Sequence, residues 1–197
     1  GVITAPDKPA GRGQKVSTSA VKEYAVSKNL RLLQPTNLKS EDFLAELKSL
    51  NANLHVVVAF RMLPEVVWKM PKLGTFNLHA SLLPEYRGAA PINWAIINGE
   101  TKTGVTTFFI DDKIDTGAMI LSKETTISTN ESAGELHDRL MQLGSEAVIE
   151  TLHLIEEGKA TTTVQTENPN VKTAYKLNKD NCKIDWTKSG TEIHNLS

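Results

Sequence analysis

Asn77 and His79 stand two residues apart in the stretch GTFNLHAS, residues 74–81. Residues i and i+2 of a β-strand share a face. An amide and an imidazole therefore project together from a run otherwise made of Thr, Phe, Leu and Ala. Asp115, in DDKIDTGAMI, is the third polar group of interest, with Gly117 freeing the backbone before the next strand. The Asn77 amide can donate to an oxygen that gains negative charge, and an imidazolium at His79 can donate beside it. A carboxylate at Asp115 favours the charged imidazole and can accept or relay a proton. Such a set suits acyl transfer in which an amine attacks directly. Ser81 follows on the same face but ends the strand with no base beside it, and Cys182 lies in a polar tail. Plainer roles are open for the same residues. Asn77 and His79 could each satisfy a buried hydrogen bond, and Asp115 could bond its own backbone in an Asp-x-Gly turn. Asp111 and Asp112 read as solvated turn residues.

The rest of the composition narrows the field. A chain of 197 residues, 40% hydrophobic and 23% charged, is long enough for one domain with a full-sized core. The formal net charge of -1 provides no global field for a polyanion, so any such site must be a local patch. One cysteine builds neither an internal disulfide nor a thiolate metal cage, which favours a reducing, cytoplasmic setting. No apolar run reaches membrane-spanning length. His55, His79, His137, His153 and His194 include no closely spaced pair of the kind zinc motifs use, so no metal is expected.

The elements that would position the trio alternate between strand and helix. GVITAPD (1–7) reads as the end of a strand and a turn, and KPAGRGQKVSTSAV (8–21) as a loop rich in Gly, Lys and Arg. Residues 20–30 have helical spacing, and LRLLQP (30–35) is a short buried strand. A helix over 40–50 has Ser40 as its N-cap. LHVVVAF (54–60) is β-branched throughout, the pattern of a strand covered on both faces. A short helix in LPEVVWKM precedes the 74–81 strand. A helix over 90–99 opens with Pro91, and strands at 103–110 and 118–127 flank the Asp115 loop. A long helix over 132–158 opens with the capping box of Ser132 and Glu135. The polar tail from 159 reads as a covering extension. This order predicts an α/β, doubly wound, mostly parallel sheet with helices on both faces. Ligands in such sheets sit beyond the strand ends at a switch in strand order.

FNLHASLLPEYRGAAPINWAIINGE together with GVTTFFIDDKIDTGAMI resembles the folate-dependent formyltransferases, a Rossmann-like family. The likeness covers nearly the whole chain. It implies formyl transfer from 10-formyltetrahydrofolate to an amine. Asn77 and His79 would polarise the formyl carbonyl, and Asp115 would assist proton movement. Ser81, Leu82, Leu83 and Pro84 would form part of the folate site. FRML (60–63) resembles a pterin-contacting segment of the family, which adds Arg61 and Leu63. Phe60 and Arg61 stand where many members have Tyr-Gly.

Among members, those acting on initiator methionyl-tRNA are the most similar. PDKPAGRGQKVSTSAVK (6–22) resembles their tRNA-contacting loop, so Lys8, Arg12 and Lys15 would meet the tRNA acceptor end. By residues alone this is an ordinary basic surface loop. The resemblance further implies a catalytic domain over 1–175, lacking the family's first strand and helix, and an extension over 176–197 leading to an absent C-terminal domain. Losing that first strand would divide the sheet and expose hydrophobic edges. A monomer is expected. Two other readings stay open: a small acceptor such as glycinamide ribonucleotide or an amino sugar, and a folate- or tRNA-binding fragment without catalysis.

Overall fold

The computed structural model of the chain describes residues 1–10, 15–166 and 168–196, and of residues 8–10 and 15–17 the backbone. It divides into two units, one made of Gly1–Asn53 with Leu63–Met70, the other of Leu54–Met62 with Pro71–Ser197.

In the first unit, β1 (Val2–Ile3) pairs in parallel with β4 (Leu32–Leu33). β2 (Lys8–Ala10) and β3 (Lys15–Ser17) pair antiparallel where the sequence predicts a loop. Three-residue strands satisfy each other through backbone groups and leave no hydrophobic period to read. Helix α1 (Ala20–Ser27) is capped by Ser19, whose hydroxyl accepts from the Lys22 N–H at 3.2 Å. α2 (Glu41–Ser49) buries Phe43 and Leu47. Ser40 occupies its N-cap position, but the hydroxyl donates to the Asn37 carbonyl at 3.1 Å and makes no cap bond. α3 (Glu65–Trp68) buries Val67.

The second unit is built on a four-stranded sheet. Its order is β5 (His55–Val58), β6 (Thr75–His79), β8 (Lys102–Phe109) and β9 (Met119–Thr126). β7 (Arg87–Gly88) lies apart from it, paired in parallel with β10 (Thr173–Ala174). Between them in sequence come α4 (Pro91–Ile97) and α5 (Ala133–Glu156), and α6 (Gly190–Leu196) follows β10. The sheet is mixed. β5 and β6 run parallel, as the strand–helix alternation predicts, whereas β8 and β9 pair antiparallel with their neighbours. β8 and β9 are joined directly by the Asp115 loop, so no crossover helix intervenes to make them parallel.

β5 departs from expectation. Val56 and Val58 are exposed, and the strand alternates rather than being covered on both faces. Among the described residues β5 pairs only with β6, so it forms an edge of the sheet. β1 and β4 likewise form a pair separate from it.

Cross-strand register assigns the sheet's two faces. Leu78 stands opposite Thr107, which stands opposite Leu121, and Val105 follows on the same side. α5 covers this face. Leu136, Leu140 and Ala147 are buried against Val105, with Leu78, Ala80 and Leu121 packed around them. Each buried leucine contributes about 1.5–3 kcal/mol to stability. α5 opens with the predicted capping box: the Ser132 hydroxyl accepts from the Glu135 N–H, and the Glu135 carboxylate accepts from the Ser132 N–H. The opposite face carries Asn77 and His79, with Phe108 and Thr106 directly across. The helix thus fixes the apolar face, and the polar face is left for chemistry.

One polar pair ties α5 to the sheet. Thr107 Oγ1 and Thr151 Oγ1 lie 2.7 Å apart, and both residues are fully buried. Thr151→Val keeps the shape but removes the near partner of the Thr107 hydroxyl, leaving it only the long contact of 3.5 Å to the Leu121 carbonyl, which should cost roughly 1–3 kcal/mol in urea unfolding. Adding Thr107→Val should recover most of that loss. Equal losses for the single and double variants would refute the pairing.

Candidate active site

β8 runs antiparallel to β6, so the loop leaving it begins at the wrong end for His79. Ile110 N–H donates to the Thr75 carbonyl at 2.8 Å, four residues or roughly 13 Å along the strand from His79. The loop then folds back over the polar face. Asp115 ends with its Oδ2 3.7 Å from His79 Nδ1, and both side chains are largely buried. That separation is of ion-pair length and too long for a direct hydrogen bond.

The other ring nitrogen has a fixed partner. His79 Nε2 lies 2.8 Å from the carbonyl of Tyr86. A carbonyl only accepts, so Nε2 carries a proton in either charge state of the ring. Only Nδ1 is left to exchange a proton, and it faces Asp115. The carboxylate is held from another side by the Gly88 N–H, which donates to the same Oδ2 at 3.0 Å. Asn77 lies on the shared face, and its Oδ1 is buried without a hydrogen-bond partner. A buried amide oxygen without a donor is costly in a resting protein.

Three non-glycine residues around this sheet take positive φ: Ala59 (47°) just after β5, Tyr86 (60°) and Asp115 (54°). Such backbone is rare outside glycine, costs of order 1–3 kcal/mol per residue, and clusters at functional sites. The sequence assigns the backbone freedom to Gly117, whereas Asp115 itself carries the left-handed turn. Gly117 is needed for space, since a Cβ there would meet the Phe109 carbonyl oxygen at 1.7 Å. Nor does the Asp115 carboxylate bond its own turn. Asp111 does that, accepting from Lys113 N–H at 3.0 Å and from the Thr116 hydroxyl.

The loop after β6 is built on its own side chains. Ser81 is 1% exposed, its hydroxyl donates to the Glu85 carbonyl at 2.6 Å, and its carbonyl accepts from Thr106 Oγ1 at 2.8 Å. Leu83 is also buried, with its N–H donating to Thr106 Oγ1 at 3.2 Å. Both were expected in a ligand surface. Their side chains instead face inward to shape the loop, leaving Leu82 and Pro84 half-buried. Arg61 is exposed beside the Phe60 ring, 5.5 Å from its centroid, while Leu63 belongs to the first unit. The backbone at Lys8 and Lys15 lies in β2 and β3, and Arg12 lies outside the described residues. Among the described residues no cluster of three His, Cys, Asp or Glu could hold a metal ion.

Tyr86 is anchored through its phenol as well as its backbone. The hydroxyl donates to Glu100 and accepts from the Asn98 amide at 3.1 Å, and Lys172 reaches the same Glu100 oxygen. Burial, with the hydrogen bond to Glu100, pushes the phenol up to about 12. Burial acts to raise the Glu100 carboxyl as well, but the hydrogen bonds from Lys172 and Tyr86 outweigh it and hold that carboxyl below its ordinary range. The network stays as carboxylate, neutral phenol and ammonium across the physiological range.

A family model described as formyl transferase matches residues 1–152. The chain belongs to the formyl transferase family. It is 77% identical over 196 residues to a methionyl-tRNA formyltransferase of Flavobacterium johnsoniae, and 53% identical over 199 residues to one of Bacteroides fragilis. All of this chain is covered in both alignments, but it spans only 62% and 61% of those relatives' lengths. Among solved structures it is similar to a sugar 3N-formyl transferase studied with dTDP and 5-N-formyl-THF. That match has a TM-score of 0.69 and 25% identity, and it covers 89% of this chain and 60% of the other. The Rossmann-like α/β fold expected from the sequence is therefore the fold that this chain shares with a formyl transferase of known structure.

In this family member, several residues that hold the site carry no local sequence signal. Tyr86 and Gly88 act through backbone groups, and Gln165 reaches the Asp115 loop from 50 positions away. Gly88 has φ of 122°, and a Cβ there would meet the Ala174 carbonyl oxygen at 2.4 Å. Gly88→Ala should cost about 1–3 kcal/mol in chemical denaturation and displace the N–H that holds Asp115. Wild-type stability for that variant would contradict the close approach.

Proposed function

We propose that the protein transfers a formyl group from 10-formyltetrahydrofolate to the free amino group of initiator methionyl-tRNA. The observation that carries this reading is the meeting of His79 and Asp115 over a strand face that also holds a buried, unpartnered Asn77 oxygen. The identity of 77% to a relative named for this activity supports the tRNA acceptor over an amino sugar.

The amine nitrogen attacks the formyl carbon, and the carbonyl oxygen takes up the negative charge of the tetrahedral intermediate. Asn77 Nδ2 donates to that oxygen. Its unpartnered Oδ1 suits an N–H of the attacking amine, so a single side chain addresses both reactants. His79 donates through Nδ1, because Nε2 is committed to the Tyr86 carbonyl. The gap of 3.7 Å leaves Nδ1 free to turn its proton to the substrate while Asp115 balances the charge. Asp115 accepts the proton that the amine loses and passes it to the departing folate nitrogen as the carbon–nitrogen bond breaks.

Leu82, Pro84 and Arg61 contribute to the folate site, with the backbone of 81–84. Lys8, Arg12 and Lys15 meet the phosphates of the tRNA acceptor end, a role for which local cations serve in a chain of net charge -1. A tRNA acceptor and a folate donor locate the reaction in the cytoplasm. All three reacting groups come from one chain, so a monomer suffices.

The test uses the full-length protein with charged initiator tRNA, glycinamide ribonucleotide and an amino sugar nucleotide offered in parallel. His79→Ala and Asp115→Asn should each lower kcat by roughly 10²–10⁴-fold, and Asn77→Ala by about 10²–10³-fold, with folate still bound. Turnover within threefold of wild type for His79→Ala would refute the mechanism, and preference for a small amine would refute the acceptor.

A further inference from the structure

Gln165 lies outside the stretch that the family model matches, in the polar tail, yet it is only 6% exposed. A side-chain amide offers two donor hydrogens and two acceptor lone pairs, and here all four are used. Nε2 donates to the Asp115 carbonyl at 2.9 Å and to the Gly117 carbonyl at 2.8 Å. Oε1 accepts from Arg87 Nε at 3.0 Å and Nη2 at 2.6 Å. The partners fix the amide's orientation, since a guanidinium only donates and a carbonyl only accepts. The segment carrying Gln165 is itself seated on the sheet through Thr163, which exchanges backbone hydrogen bonds with Met119, both at 2.9 Å.

The contacts close a ring. Gly88 N–H holds the Asp115 carboxylate, Gln165 holds the Asp115 backbone, and Arg87 holds Gln165. Arg87 and Gly88 are neighbours in β7, so the two grips on Asp115 share one origin. Asp115 needs them. Its loop starts beside Thr75, crosses back over the sheet, and carries a left-handed residue at its functional position. Without a restraint on its carbonyls, the loop would relax toward solvent and take the carboxylate with it.

We infer that Gln165, clamped by Arg87, is a positioning residue for the reaction: it holds the Asp115 loop over the strand face so that the carboxylate stays at His79 Nδ1. The inference rests on the proposed role of Asp115. Gln165 touches no reacting atom, so its removal should affect turnover and leave substrate affinity alone.

Gln165→Glu preserves size and the acceptor for Arg87 but lacks both donors to the loop. In the full-length protein it should lower kcat by roughly 10–100-fold, with KM for tRNA and folate within threefold of wild type. The deciding readout is coupling. Gln165→Glu added to Asp115→Asn should cost little beyond Asp115→Asn alone, because the clamp then has no carboxylate to position. If Gln165→Glu does not fold, Arg87→Lys serves in its place. It loosens the amide from the other end, and it should lower kcat severalfold with the same lack of additivity. Turnover within threefold of wild type, or losses that multiply fully with Asp115→Asn, would overturn the inference and leave the functional reading intact. Near-normal turnover of Asp115→Asn itself would overturn both.

Discussion

The hydrogen bond from His79 Nε2 to the Tyr86 carbonyl is the constraint on which the site depends. It uses one ring nitrogen and leaves the other, on the Asp115 side, as the only atom able to give or take a proton. The carbonyl points that way because Tyr86 sits at φ of 60°. Its N–H donates to the Lys172 carbonyl at 2.6 Å, and its phenol lies buried among Glu100, Asn98 and Lys172. A conformation that costs energy locally is thus retained by contacts from three directions. The tripeptide Tyr86–Arg87–Gly88 then reaches both ends of the pair: Tyr86 fixes the imidazole, Gly88 holds the Asp115 carboxylate, and Arg87 bonds the Gln165 that holds the Asp115 backbone.

The two sheet faces divide the labour. α5 packs its apolar stripe on Leu78, Val105 and Leu121, which fixes the pleat of β6 and with it the direction of Asn77 and His79. Because side chains alternate, a rigid hydrophobic face enforces a rigid polar one. The register shift after Thr107, where Phe108 pairs with Met119, falls at the start of the Asp115 loop. Irregularities of this kind re-aim a chain leaving a sheet. The loop can then turn back across the face instead of continuing beyond the strand end.

How much of this could be read from residues alone varied with the range of the interaction. Strand alternation put Asn77 and His79 on one face, and capping chemistry located the start of α5, because both signals lie within a few positions. Asp115 was recognisable by type and by its Gly-containing turn, but the turn's mechanics were not: the left-handed residue is Asp115, and Gly117 answers a steric demand from Phe109. Ligand contacts at Ser81 and Leu83 are implied by the family resemblance and not by local pattern, and the bonds that tie both to Thr106 follow from a pairing across β8 that no local pattern encodes. Val56 and Val58 read as buried because β-branched runs usually lie inside sheets, yet β5 is an edge here. Gln165 was invisible for the same reason in stronger form. A lone glutamine in a polar tail has no period, and its partners at 87, 115 and 117 meet it only in the folded chain.

Nitrogen-15 NMR of His79 in the full-length protein reads the protonation pattern of this ring directly. The geometry predicts that Nε2 stays protonated across the titration, with Nδ1 alone changing between bare and protonated forms. A neutral ring that carries its proton on Nδ1, with Nε2 bare, would contradict the anchoring by Tyr86 and the role of Nδ1 built on it.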